Sequence, residues 1–330
     1  MTDVRTESTD SIPEGIALVP VGGADVAVAM ADVAADVRAA LIGVGAVLMR
    51  GFDPLTVAEF SDVAEALIDR LVTDNPEHEP IDPSGIVQTP VEFSPDRKLL
   101  WHNENSFNRR WPRTLVFSPT LVATTGGRTP VTDSRRLLEV LDQGIVRRFS
   151  ELGVCYIRRF GHSVGLPWQR VLGVESRDAA EVRAAIDEVD LTWGTCETLT
   201  TRAVRPAIID HPITGESAFF AQPAHWHPAC LDEETRQALV EVLGEDNLPR
   251  DCRFGDGSEI PDAMMLELLD AYQSIERSFD WRAGDVLAID NVLSAHARDP
   301  YTGPRRLLVA MGDDHEFAVP AGSETRRMPT

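Results

Sequence analysis

Cysteine is scarce in this sequence. Four of 330 residues are cysteine (Cys155, Cys196, Cys230 and Cys252), and none belongs to a Cys-x-x-Cys pair. That spacing argues against a zinc ribbon or a disulfide framework and suits a reducing compartment. Positive charge is short as well. Lys and Arg total 31 against 53 Asp and Glu, a formal net charge of −22. Such a chain gains nothing from the phosphate term that dominates nucleic-acid affinity, so neither nucleic acid nor a membrane surface is an expected partner. No apolar run approaches the ~20 residues of a membrane helix. Met1 to Asp10 lacks the basic-then-apolar order of a secretory signal. The expectation is a soluble, cytoplasmic protein. Internal repeats and low-complexity tracts are missing, and no strand runs into a Gly-x-Gly-x-x-Gly turn, so the pattern is not a βαβ repeat.

What remains is ordinary globular material, 43% hydrophobic and 25% charged. Residues 1–13 read as a disordered tail, and residues 14–330 as a single domain without a linker. Periodicity predicts helices over Asp25 to Ile42, Thr56 to Leu71, Arg135 to Leu141, Ile145 to Leu152, Asp178 to Glu188, Asp232 to Leu243 and Pro261 to Arg277. Thr56 with Glu59 forms a capping box for the second. Short strands are expected at Ile16 to Val19, Gly45 to Gly51, Thr114 to Thr124, Val154 to Arg159, Thr192 to Leu199, Ala203 to Asp210, Ser217 to Ala221, Asp285 to Asp290 and Arg306 to Met311. Pro76 to Pro95 is proline-rich and aperiodic, so it is either a functional loop or a tolerated insertion. Many short strands packed by helices suit an α+β chain with a double-sheet jelly-roll core.

Two places carry metal chemistry. On a strand, residues i and i+2 share a face, so His102 and Glu104 project together while Asn103 points away. A single late histidine, His296, follows the strand Asp285 to Asp290 and its Asp-Asn turn. Two histidines and one carboxylate are the ligand set of a non-haem iron site. The pair at 102 and 104 taken alone reads more readily as a satisfied polar pair at a strand end. Further on, Arg305 and Arg306 open an apolar strand, and an arginine there needs an anionic partner, either a ligand carboxylate or an internal acid.

Taken in order from about residue 45 to 312, the pieces resemble the TauD/TfdA family of iron(II)- and 2-oxoglutarate-dependent dioxygenases. Within it they are similar to the clavaminate synthase-like and SyrP-like branch of natural-product enzymes. The matching pieces are GAVLMRGF (45–52), QTPVEF (88–93), HNE (102–104), GGRTP (126–130), HPITGE (211–216) with FFAQ (219–222), HAR (296–298) and GPRR (303–306). The resemblance implies a double-stranded β-helix, the cupin-like jelly roll, with flanking helices. It implies Fe(II) on His102, Glu104 and His296, with 2-oxoglutarate chelating the iron and dioxygen as co-reactant. The far carboxylate of 2-oxoglutarate would sit against Arg306, with Thr129 donating a hydrogen bond. Arg305 is the alternative anchor, and Arg298 would serve the cosubstrate or the local turn. An intact Glu104 disfavours the related halogenases, which have a small residue there.

The branch implies an amino-acid substrate, free or tethered to a carrier protein, hydroxylated in antibiotic or other specialised biosynthesis. Desaturation, epoxidation and cyclisation use the same oxidant and remain open. Gln88, Asn105, Ser106 and Gln222 are polar residues in segments expected to line the pocket, with local backbone hydrogen bonds as the competing role. His225 and His227 form a second His-x-His pair, without an acid at matching spacing, and are expected in a substrate loop or at the surface. His211 reads as a turn residue, and His78, His162 and His315 have no supporting context. Two other classes stay open: a non-catalytic jelly-roll binding protein, and a cupin-type enzyme without 2-oxoglutarate.

Overall fold

The computed structural model describes residues 15–21, 25–74, 78–161 and 166–317. The expected tail over residues 1–13 and His162 lie outside them. The apolar run after Gly45 is the strand Ala46–Arg50, parallel to Ala17–Pro20 and antiparallel to Val286–Asp290. The sheet continues through Arg110–Leu121 to the edge strand Arg306–Glu316. Its strands lack a polar face because both faces are covered. Val47, Met49, Val116, Ala288 and Ala310 pack under the helical layer. Ala46, Leu48, Leu115, Phe117, Leu287 and Val309 point into the jelly roll. Period-2 alternation therefore divides one apolar stretch between two cores.

The helical layer is Val26–Val44 and Val57–Leu67. The Asp25 side chain accepts from Val28 N at the first, and Gly45, at φ 82°, ends it in the left-handed region. Thr56 and Glu59 cap the second reciprocally, as expected. Its Phe60 is fully buried, and truncation to alanine would cost ~3–5 kcal/mol. This helix stops at Leu67 instead of reaching Leu71, because Leu71 is extended and bridges Gly312 of the edge strand.

Facing the large sheet is a three-stranded one, Leu99–His102, Ser294–Arg298 and Val131–Asp133, with Ser294–Arg298 at its centre. The two sheets make the jelly-roll core. A further four-stranded sheet orders Arg250–Phe254, Val154–Phe160, Leu199–Arg205 and Asp190–Trp193. The single strand expected over Thr192 to Leu199 is instead two strands about a turn, where Cys196 and Glu197 take φ of 53° and 62°. The inner face of this sheet (Val154, Tyr156, Cys252, Phe254) packs with helix Asp262–Ile275 and with Trp101, Ala295 and Ala297, behind the ligand-bearing strands.

Candidate active site

His102 ends its strand and His296 sits mid-strand, and the two are direct antiparallel partners. Their rings lie 4.2 Å apart between centroids. Glu104, two residues past His102, returns to the same side, with Oε2 3.8 Å from His102 Nε2. One ligand atom from each of His102, Glu104 and His296 falls within a 4.8 Å span. Among the described residues this is the only such cluster of histidine, cysteine and acid side chains. The spacing closes around one ion with little movement and leaves the opposite face open.

The surroundings fix each ligand. His102 Nδ1 lies 2.9 Å from the Leu100 carbonyl, which can only accept, so Nδ1 carries the proton and Nε2 keeps its lone pair for a metal. His225 Nε2 donates to the same carbonyl at 2.7 Å, and its ring packs 4.4 Å from that of His102. His296 Nδ1 is buried without a protein partner, and the Phe117 ring stands 5.4 Å away. Burial holds all three imidazoles below the ordinary histidine range, His225 at about 3. Neutral imidazole is the ligand form. Burial pushes the Glu104 carboxyl up, but contact with His78 and the neighbouring His102 and His296 outweigh it and hold it at about 2. The donor set, two neutral imidazoles and an ionised carboxylate around an orphaned buried nitrogen, fits Fe(II).

Behind the ligands, Asn291 grips the Glu104 backbone. Its Oδ1 accepts from Glu104 N at 2.7 Å, and its Nδ2 donates to the Glu104 carbonyl at 2.9 Å and to that of Pro112 at 2.8 Å. Asn103, turned away from the metal side, donates to the Asn291 carbonyl at 2.7 Å. Asp290 accepts from Val292 N and Leu293 N, which shapes the turn before His296. Its other oxygen receives Nε2 of His211 at 3.0 Å, so His211 is both the expected turn residue and a buried buttress.

The ligands open into a cavity of about 1170 Å³, walled by the segment 89–95, Leu55, Phe117, Thr129 and the start of the last strand. Arg305 lines the cavity directly before the strand Arg306–Glu316 begins. It is half-buried, and no carboxylate pairs with it among the described residues. Burial and the neighbouring Arg298 lower its pKa to about 10, the mark of a cation awaiting an anion. Gly127, at φ 69°, makes room for it: a Cβ there would stand 3.2 Å from the Arg305 side chain. The Thr129 hydroxyl accepts from Trp281 Nε1 at 3.1 Å, which leaves its own proton to donate into the cavity. An unpaired guanidinium beside a free hydroxyl donor fits the far carboxylate of 2-oxoglutarate.

Arg306 touches the cavity but is exposed, so the half-buried Arg305 is the better fit for the inner position. Arg298 serves the local structure, donating to the carbonyls of Phe93, Ser94 and Arg97. Gln88, Asn105, Ser106 and Gln222 are buried and do not line the cavity. Gln88 donates to Val72 and Gly85 carbonyls, Gln222 N donates to the Tyr156 hydroxyl, and Asn105 takes φ 57° in a turn. At Gln88 the local backbone role is the one observed. His225 and His227 lie in neither a substrate loop nor the open surface. His225 backs His102, and His227 contacts the Ile260 carbonyl and caps Ala229. His78, which had no supporting context in the sequence, lies 3.6 Å from Glu104 Oε1.

Comparison with known proteins agrees with this geometry. The family described as "Taurine catabolism dioxygenase TauD, TfdA family" matches residues 11–311. The dapdiamide synthesis protein DdaC of Enterobacter agglomerans is 32% identical over 270 residues, 82% of each chain. A clavaminate synthase-like protein of Arabidopsis thaliana is 28% identical over 282 residues, 81% of each. A taurine dioxygenase structure from Burkholderia xenovorans superposes with a TM-score of 0.54 at 16% identity, covering 94% of each chain.

Proposed function

Because the chain belongs to the TauD, TfdA family of dioxygenases, we propose that it oxidises an amino-acid-derived substrate in specialised biosynthesis, with His102, Glu104 and His296 as iron ligands and Arg305 and Thr129 as the 2-oxoglutarate anchor. The chain is an Fe(II)- and 2-oxoglutarate-dependent oxygenase. The observation that carries the site reading is that the three-ligand cluster and the unpaired Arg305 open into one cavity.

When bound, Fe(II) supplies reductive activation of dioxygen coupled to decarboxylation of 2-oxoglutarate to succinate and CO2, and thereby the oxidising power to break a C–H bond. The chain supplies position and exclusion of water. His102 and His296 present neutral nitrogens, and Glu104 contributes one negative charge. Arg305 and Thr129 fix the far end of 2-oxoglutarate, so that its keto-acid end lies toward the ligands. Phe117, Leu307 and Val309 make the inner wall apolar, which keeps bulk water from a reactive centre.

Two observations support the substrate class. Glu92 and Arg306, exposed and of opposite charge, both line the cavity, which suits an ammonium and a carboxylate. The 32%-identical relative is named for dapdiamide synthesis. The test is succinate release across free amino acids and carrier-bound aminoacyl groups. Stimulation by an aminoacyl group, with a product mass that separates hydroxylation from desaturation, supports the reading. Stimulation only by sulfonates or other acids without an amino group overturns it.

A further inference from the structure

Arg305 lacks what usually holds an arginine still, since no carboxylate pairs with it among the described residues. What it meets is an aromatic face. The Arg305 guanidinium carbon stands 5.6 Å from the centroid of the Tyr301 ring, and that of Arg298 stands 5.0 Å from the same ring. All three residues line the cavity. The two arginines differ in how they are held. Arg298 is buried and gives its terminal nitrogens to the carbonyls of Phe93, Ser94 and Arg97. Arg305 is half-buried and has the Tyr301 ring as its charge partner.

The backbone seats that ring. Tyr301 and Thr302 pair antiparallel with Thr125 and Gly126, and Tyr301 N donates to the Pro95 carbonyl at 2.8 Å. A Cβ on Gly126 would stand 2.1 Å from the Pro300 oxygen, so only glycine lets the ribbon close. Gly127 N donates to that same oxygen at 3.0 Å, on the residue whose missing Cβ leaves room for the Arg305 side chain. One glycine seats the ring and the next clears its guanidinium.

A carboxylate beside Arg305 would fix it, but would occupy the N–H groups that a ligand needs and cancel the charge. A ring face attracts the cation through its quadrupole and occupies no N–H. On the reading that Arg305 anchors 2-oxoglutarate, we propose that Tyr301 is a positioning residue: its ring face holds the Arg305 guanidinium at the cavity wall and leaves the N–H fork free for the far carboxylate. Arg298, pinned by three carbonyls, gives the ring a fixed neighbour.

The probe is 2-oxoglutarate, titrated calorimetrically into the Mn(II)-loaded full chain, with 2-oxobutyrate, which lacks the far carboxylate, as second ligand. Tyr301→Leu is expected to raise the 2-oxoglutarate dissociation constant by about three- to tenfold, the worth of a half-buried cation–π contact. Tyr301→Phe, which keeps the ring, is expected to stay within about twofold of the wild type. The loss in Tyr301→Leu is expected to vanish in an Arg305→Gln background and to be missing for 2-oxobutyrate. A general loosening of the fold would move both ligands and both backgrounds alike. Tyr301→Met, read in the same cycle, replaces the leucine variant if that one fails to fold. Unchanged affinity in Tyr301→Leu overturns the proposal. So does an equal loss in the Arg305→Gln background, or a loss in Tyr301→Phe as large as in Tyr301→Leu. Arg305→Gln binding 2-oxoglutarate as tightly as the wild type is a separate result, which overturns the anchor reading itself.

Discussion

The side-chain amide of Asn291 and the backbone of Glu104 are joined by two hydrogen bonds, Glu104 N to Asn291 Oδ1 at 2.7 Å and Asn291 Nδ2 to Glu104 O at 2.9 Å. Glu104 follows the strand that carries His102, and Asn291 follows the strand Val286–Asp290 that leads to His296. The pair therefore locks the two ligand-bearing segments together without itself touching the metal side. Asn291→Ala leaves buried backbone groups unpaired, at a cost of ~1–3 kcal/mol each. The melting temperature is expected to fall, and metal affinity to drop by ~10–100-fold, as is usual when an outer support is lost. Thermal melts with and without Mn(II) measure both.

Arg305 and Arg306 separate cleanly by substitution. Arg305→Gln is expected to raise the 2-oxoglutarate dissociation constant by ~10–100-fold, the worth of a charge-assisted pair. Arg306→Gln is expected to leave it within about threefold, as for an exposed charge. An anaerobic titration of each variant with 2-oxoglutarate decides. The reverse order would restore Arg306 as the anchor.

Trp281 sets the direction in which the Thr129 hydroxyl can donate. Its Nε1–H occupies one lone pair of the hydroxyl and directs the remaining proton into the cavity. Trp281→Phe keeps the ring in its place among Phe279 and Val131 but removes the donor. A loss of ~0.5–1.5 kcal/mol, or about two- to tenfold in 2-oxoglutarate affinity, is expected, with stability little changed.

The thiols respond to pH in a defined order. Burial pushes the Cys230 thiol up to about 12 and raises Cys155 and Cys252 as well. A raised thiol pKa keeps the unreactive protonated form at pH 8, and only a rise toward the shifted value frees the thiolate. Exposed Cys196 is expected to take up iodoacetamide first at pH 8 in the native protein, with the other three labelled only after denaturation. Peptide mass spectrometry reads the order, and rapid labelling of Cys230 at pH 8 would contradict its placement.

Several parts of this protein were legible in the sequence because their signals are local. The Thr56–Glu59 box, the glycine-bounded run Ala46–Arg50 and the turn His211–Gly215 each carry their cause within a few residues. The clustering of His102, Glu104 and His296 was legible through i, i+2 spacing and the order of motifs. Strand Arg250–Phe254 was not expected, although it alternates outward charge with inward Cys252 and Phe254, because a five-residue charged stretch also reads as a loop.

Residues that act across long sequence distances were harder to read. Asn291, Trp281 and His78 reach partners 187, 152 and 26 positions away, and none has a spacing signal of its own. The four polar residues expected along the pocket show the complementary difficulty. Tertiary packing buries Gln88, Asn105, Ser106 and Gln222 off the cavity lining, and the Gln88 side chain donates to backbone carbonyls there. Asn291 had one usable sign: it stands in an Asp-Asn turn directly after a fully buried strand, where a side chain must satisfy stranded backbone groups.

The central claim is that His102, Glu104 and His296 hold Fe(II) with an open face to which 2-oxoglutarate binds. Anaerobic addition of Fe(II) and then 2-oxoglutarate to the metal-free protein tests it most directly, followed by visible absorption. A charge-transfer band that saturates at one equivalent of iron, and that His102→Ala and His296→Ala abolish, is the expected result. No band in the wild type, or a band that survives both substitutions, would contradict the account.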